Sequence, residues 1–406
     1  MKRFQAAVHP SSDHRPAESN NVSPREKSPR PARSVVSASP CPDYEYDKVE
    51  AAVKAVLDPL GGIREFVKRG DTVLLKVNLL AAKAPERAIT THPVVLEAVA
   101  REVASVGGKI VVGDSPAGVL NGIKRFWDTT GIGATTEKVG GELVRFEGSG
   151  TNPLRINGSI YHISSILQRV DTVINLPKLK THGLTLFTGA IKNCFGLLPG
   201  FQKANLHKAA PKIDAFSEIL VDIYSHVNPV LNIMDGVVGL EGNGPSSNGS
   251  PRKIGLILAS PDAVALDAVA GRIIGFKSED IATTKIAHNK GLGEGRFENI
   301  RLLGPPLSEI SIPDYRLPSN SLLRIVPSWL AEFAGRFFWV HPRAVADNCQ
   351  RCGICIDNCP MQCMTPDANG VPTIDHDACI NCLCCDESCP HDAIIQELSW
   401  LARKLQ

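Results

Sequence analysis

Apolar residues recur along this chain in two rhythms. Val49, Val53, Val56 and Leu57 fall at helical spacing, so ordered structure is expected from about Asp47. Thr72–Leu79 (T-V-L-L-K-V-N-L) is a short, almost continuous apolar run, the pattern of a strand buried on both faces. Pro93–Val106 returns to helical spacing with proline in its first turn. Lys109–Gly113, Asp171–Leu176, Val230–Met234 and Lys253–Ala259 read as further strands, and Ala215–His226 and Asp262–Ile274 as helices between them. Short apolar strands alternating with helices predict an α/β domain over 47–318, a mostly parallel sheet flanked by helices.

The flanks differ. Residues 1–43 are rich in Ser, Pro and Arg without apolar periodicity, and are expected to be a disordered tail, with a targeting role as the minor alternative. Residues 319–346 read as a connector helix, because Trp329, Phe333 and Phe337 line one face. That helix could dock a C-terminal module, bind a partner or lie on a membrane surface. Docking is favoured, since its polar face is not notably basic. Residues 396–406 read as a closing helix or tail.

Charge sharpens this division. Asp347–Gln406 holds nine Asp/Glu against three Lys/Arg, a balance of −6, leaving +8 for the rest of a chain whose net charge is +2. Body and tail should attract each other, the body should meet an anionic ligand, or the acid excess merely solubilises a small module. No basic stripe with interleaved aromatics suggests nucleic acid, no apolar run is long enough for a membrane span, and no secretory signal follows Lys2 and Arg3. The expected location is cytoplasmic.

The strongest chemical signal lies at 347–395. Cys349-x2-Cys352-x2-Cys355-x3-Cys359-Pro360 is followed after nineteen residues by Cys379-x2-Cys382-x2-Cys385-x3-Cys389-Pro390. Three cysteines two residues apart wrap a loop around one metal centre, while each Cys-Pro step carries the chain away from it. Zinc and a disulfide framework are the alternatives, and two complete motifs with both prolines disfavour them. This segment resembles a bacterial-type dicluster ferredoxin domain. The resemblance implies two 4Fe–4S clusters: one on Cys349, Cys352, Cys355 and Cys389, the other on Cys379, Cys382, Cys385 and Cys359. It also implies one-electron transfer at low potential. Cys363 and Cys384 are expected not to bind iron.

In the body, Asn175–Leu197 (N-L-P-K-L-K-T-H-G-L-T-L-F-T-G-A-I-K-N-C-F-G-L) starts at the end of a predicted strand, where open α/β sheets place ligands. Lys178, Lys180 and His182 alternate, so in an extended chain they share one side. If a helix follows, Thr185, Thr188 and Lys192 form its polar face, with Asn193 beside it and Cys194 in the core. Lys76 and Asn78 end another strand, Thr91-His92-Pro93 opens the next helix, and Asp114-Ser115 follows a third strand. Such recurrence at several strand ends suits a shared cleft for an anion, whereas a solvated basic loop is the bland alternative. Lys203, His207 and Asp235 are weaker candidates. Glu241–Pro245 reads as a flexible loop, Asp262 as a helix start and Asp267 as a solvated or packing residue.

K-V-N-L-L, T-H-P, V-V-G-D-S, L-P-K-L-K-T-H, T-G-A-I-K-N-C-F-G-L, D-G-V-V-G-L-E-G-N-G-P and L-A-S-P-D-A-V-A-L-D-A-V-A together resemble the family called domain of unknown function 362, over about 60–310. The resemblance implies a shared fold and a candidate site centred on Lys178–Gly196, but no reaction. The expected function is an oxidoreductase of unassigned reaction, relaying electrons between the clusters and an anionic substrate in the cleft. Lys178, Lys180 and Lys192 would bind the anion, and His182 or His92 would donate a proton or ligate a metal. Two alternatives remain open: an electron carrier or scaffold docking a redox partner protein, and a ligand- or metal-handling enzyme with structural or sensory clusters.

Overall fold

The computed structural model describes residues 34–116, 123–199, 202–210, 212–246, 248–318 and 340–400. The periodicity of the body translates into one large sheet. Its strands in chain order are β1 (Val35–Pro40), β2 (Thr72–Val77), β3 (Lys109–Asp114), β4 (Glu142–Arg145), a separate hairpin β5 (Thr151–Ile156) and β6 (Ser159–Ser164), then β7 (Thr172–Leu176), β8 (Lys178–His182), β9 (Leu186–Thr188), β10 (Leu231–Gly242), β11 (Gly249–Ser260) and β12 (Arg301–Leu303). The sheet runs β12-β1-β11-β10-β7-β2-β3-β4, with β8 branching from β10 and carrying β9. Parallel pairs dominate, but β11 is antiparallel to both β1 and β10.

Alternation of side chains across each strand divides the interior into two cores. Val73, Leu75, Val77, Ile174 and Leu176 pack against helices Tyr46–Leu57 and Pro93–Ser105 on one face. Leu74, Val111, Val173 and Leu258 pack against helices Ile213–Val227 and Ala263–Ile273 on the other. The sheet is therefore sandwiched between helical layers, an α/β fold with a mostly parallel sheet. Among the described residues no helix is long and apolar enough to cross a membrane.

Several expectations need correction. Residues 34–43 are not part of a disordered tail: β1 is inserted between β11 and β12, and Ser37 is 1 % exposed. V-V-S-A-S-P has too few apolar positions to announce a strand, and its order comes from its neighbours' backbone groups. Residues 1–33 lie outside the described set. So do 319–339 with the whole Trp329, Phe333 and Phe337 stripe. The remainder of the expected connector is no helix, since Val340–Ala344 forms β13, antiparallel to β16 (Ile394–Leu398). The closing segment thus also begins as strand rather than helix or tail.

The C-terminal segment is built twice. β13 and β16 enclose a second small pair, β14 (Met364–Pro366) with β15 (Pro372–Ile374). Short helices Ile354–Asp357 and Cys384–Ser388 stand at matching places in the two cysteine motifs. So do left-handed residues: Arg351 and Asn381 (φ 56° and 52°), Gly353 and Leu383 (75° and 62°), Gln362 and Asp392 (52° and 54°). One backbone trace recurs, whatever side chains occupy it. Even Leu383 is held where Gly353 sits without cost.

Candidate functional site

The polar ends of β2, β3, β7, β8 and β10 converge, and nearly all their groups are buried. Lys178 and Asp235 form an ion pair at 2.8 Å with both side chains fully buried. Lys178 also donates to the Tyr44 hydroxyl (2.7 Å), which donates to Asp235 (2.9 Å). Burial lowers the Lys178 pKa, against the pull of Asp235. His92 stacks on Tyr44, ring centres 3.5 Å apart, and its Nδ1 accepts the Val94 N–H to cap the helix Pro93–Ser105. Burial pushes His92 down to about 4, so it is neutral.

A second circuit is made of amides. Lys180 donates to Asn78 Oδ1 (2.8 Å) and to the Ile89 carbonyl (2.7 Å). Asn78 donates to Asn193 (3.0 Å), Asn193 to Asn175 (2.7 Å), and Asn175 to Asn232 (2.9 Å). Burial, followed by the charge of Lys192, pushes Lys180 down to about 7. Lys76 pairs with Asp114 at 2.8 Å, and Asp114 also accepts the N–H groups of Leu79 and Ser115. Residue 196 is glycine because a Cβ there would lie 2.0 Å from Asp114 Oδ1.

The chain between β8 and the next helix departs from expectation. Thr185–Thr188 is not helical: β9 pairs antiparallel with β8, and the helix spans only Ala190–Asn193. Asp267, fully buried rather than solvated, accepts from Ala190 N (2.6 Å) and Ile191 N (3.0 Å) and so fixes this start. Burial raises Asp267 to about 7, against those two hydrogen bonds. Thr188 is buried, and its hydroxyl meets no hydrogen-bond partner among the described residues. Cys194 lies in the core, its thiol pushed up to about 12 by burial. Asp262 does start its helix, accepting from Val264 and Ala265. Glu241 is no loop residue: it ends β10 and pairs with Arg316 at 2.8 Å.

His182 turns toward the C-terminal segment. Its Nδ1 accepts the Leu184 and Thr185 N–H groups, which places the ring hydrogen on Nε2. Nε2 stands 3.4 Å from Glu387 Oε1, a long contact rather than a well-formed hydrogen bond. Burial, reinforced by Lys192, pushes His182 down to about 3. Burial alone would raise Glu387, yet His182 and Lys192 bring it down to about 2. Further contacts hold the C-terminal segment here. Lys83 reaches Asp392 (2.8 Å) and the Pro390 carbonyl (2.7 Å), and Asn248 donates to Asp386 (2.7 Å). Gly183 is glycine where a Cβ would sit 2.9 Å from Leu383 Cδ1.

Between body and segment lies a pocket of about 70 Å³, walled by Lys192, Lys203, His207 and Asp114 from the body and Cys384 and Glu387 from the segment. The candidates thus divide. Lys192 faces the pocket, Asn78, Asp114 and Asn193 border it, and Lys76, Lys178 and Lys180 are committed to internal partners.

The cysteines form two further cavities. One is lined by Cys349, Cys352, Cys355 and Cys389, the other by Cys379, Cys382, Cys385 and Cys359, with Cys363 beside them. Backbone N–H groups of Arg351, Asn381 and Ala393 point at Cys349, Cys379 and Cys389 sulfurs at 3.3–3.4 Å. Among the described residues, no three His, Cys, Asp or Glu side chains converge as around a single metal ion. Each cavity instead has four motif cysteines in its lining, the number of thiolates a cubane takes. These donors fit such a group.

Residues 73–272 match the model of domain of unknown function 362. Thylakoid-associated protein sll1697 of Synechocystis sp. is 37 % identical over 302 residues, covering 72 % of this chain and 92 % of that protein. This chain belongs to the DUF362 family. Among solved structures, the lactate racemase apoprotein from Thermoanaerobacterium thermosaccharolyticum matches at 10 % identity and a TM-score of 0.37, over 59 % of this chain and 57 % of that one. A Thermotoga maritima protein matches at 12 % identity and 0.35, over 60 % and 59 %. At that level neither likeness bears on activity. For this DUF362 member the residues hardest to foresee were Tyr44, Asn232 and Glu387. Asn175 and Asn232 carried a signal, each being a polar residue inside an apolar strand. Glu387, between two cysteines, carried none.

Proposed function

We propose that this protein is an iron–sulfur oxidoreductase, with two 4Fe–4S clusters in a C-terminal ferredoxin-like domain and an anionic ligand in the cleft beneath it. The observation that carries the reading is the crossed origin of the two cysteine cavities: each takes three cysteines of one motif and the last cysteine of the other. When bound, the clusters supply single electrons at low potential. The chain's own part is to hold them near the cleft. The helix Cys384–Ser388 carries Cys385, a wall of the second cysteine cavity, while Cys384 and Glu387 wall the pocket. Lys192 would attract the anion. His182 would orient Glu387 rather than deliver protons, since its Nδ1 is occupied by backbone N–H groups.

Anaerobically purified protein should contain about eight irons and eight acid-labile sulfides per chain, with reduced-cluster electron paramagnetic resonance signals. Stoichiometric zinc, or iron below one cluster per chain, would overturn the reading. The relative's name extends the proposal to location: the protein works in the cytoplasm, against a membrane surface, with no helix among the described residues long and apolar enough to cross it. Fractionation checks this, since a salt wash should release the membrane-bound share.

A further inference from the structure

The pocket between body and C-terminal segment contains two basic side chains that act on Glu387 through space but make no hydrogen bond or ion pair among the described residues. Lys192 has no hydrogen bond or ion pair among the described residues, although it lines the pocket. His207 is 6 % exposed and held by rings alone, stacked on Phe216 with centres 4.0 Å apart and edge-on to Phe195 at 6.1 Å. Its ring nitrogens have no partner among the described residues, and it also lines the pocket. Lys203 stands beside them, donating one hydrogen to the Ser115 carbonyl and keeping two. Three basic side chains thus converge on one void, Lys203 with one hydrogen bond made and the other two with none among the described residues.

Charge selects its class. Asp114 is matched by Lys76, and Glu387 is the remaining acid in the wall. With both lysines protonated, Lys192 and Lys203 against Glu387 leave one uncompensated positive charge in a half-open pocket. A monoanion restores neutrality, whereas a dianion overshoots and places a charge beside Glu387. Leu79, Leu80 and Phe195 add apolar lining, suited to a short carbon chain. We propose that this pocket binds a small monocarboxylate, its carboxylate taken by Lys192, Lys203 and His207 and its carbon end by Leu79, Leu80 and Phe195. The site differs from the one the alternating lysines suggest, because Lys178 and Lys180 are consumed internally. The inference rests on the redox reading in one respect: the cluster-bearing segment closes the pocket.

Calorimetric titration of the anaerobic holoprotein with sodium acetate, sodium propionate, inorganic phosphate and sulfate tests it. Saturable binding is expected for the two carboxylates, propionate the tighter, with phosphate and sulfate weaker by about tenfold or more. Lys192→Met and, separately, Lys203→Met should each weaken propionate by about tenfold or more, as expected for one charged hydrogen bond, with iron content and cluster spectra unchanged. Phosphate or sulfate binding as tightly as propionate would overturn the ligand class. Propionate affinity unchanged in both variants, or no saturable heat with any of the four, would overturn the site. Iron and sulfide measured on the same samples separate the two readings: full clusters without carboxylate binding sink only this one, and anaerobically purified protein that lacks iron and sulfide yet binds carboxylate sinks only the earlier one.

Discussion

Two neighbourhoods at the same sheet edge differ in how their polar groups are satisfied. Around Lys178, Asp235, Tyr44 and His92, and along the chain of asparagines ending at Asn232, donors meet acceptors within the body. A few residues away, around Lys192, Lys203 and His207, donors face a void whose far wall comes from another part of the chain. Closed circuits of buried hydrogen bonds specify a structure, and open ones wait for something else. Basic residues at strand ends therefore divide by whether the fold has already used them.

The largest test of this contrast removes the proposed clusters. The buried group of the C-terminal segment consists mainly of cysteines with Met364, Ala393 and Ile394, too little apolar surface to fold alone. Chelation should unfold residues 349–392 and release Lys83 and Asn248 from their partners. Hydrogen exchange should show fast amides there and unchanged protection in β2, β3 and β7. Protection retained across the segment after complete iron removal would contradict this.

Next comes Lys178→Met, which strands Asp235 in a fully buried site and should cost about 3–5 kcal/mol in denaturant unfolding. Lys178→Met with Asp235→Asn should recover part of that. A single variant within about 0.5 kcal/mol of wild type would show that the circuit is not closed as described.

Smaller, and dependent on pH, is the contribution of Asp267. Its folded pKa of about 7 stands above the ordinary 3.8, so between those values the folded state holds the proton more tightly than the unfolded state. Its contribution is fully present below about pH 4 and is lost as pH rises through 7. Unfolding measured from pH 4 to 8 should lose stability over that window, and Asp267→Asn should flatten the loss.

The smallest effect is expected for Lys192→Met without ligand. Acting on Glu387 only through space, without a hydrogen bond or ion pair among the described residues, it should cost about 1 kcal/mol or less, well below Lys178→Met. A loss comparable with Lys178→Met would mean that the open region is closed after all.

Some of this was legible beforehand, and the reason differs by residue. Strands β2, β3 and β7 are short apolar runs, because a strand buried on both faces must be apolar throughout. β1 was missed because V-V-S-A-S-P depends on pairing with β11 and β12. The β5–β6 hairpin carried a local signal, Asn157-Gly158, both left-handed (φ 48° and 82°), the sequence preferred at a tight hairpin turn. The helix expected from Thr185 was displaced to Ala190 because Asp267, distant in sequence, caps it there.

The same division holds for function. Metal-binding spacing is local: a thiolate's reach obliges its neighbours to lie two or three residues away, so the cysteine motifs announce themselves in one dimension. A cation's availability is not local. Lys178, Lys180 and Lys192 look alike along the chain, and only the packing of Asp235, Asn78 and Glu387 around them decides which remains free, because desolvation and pairing act through space. Sequence alone therefore determined where the paired cysteine motifs stand and that strand ends carry polar groups. Tertiary structure alone decided which of those groups the protein had already used.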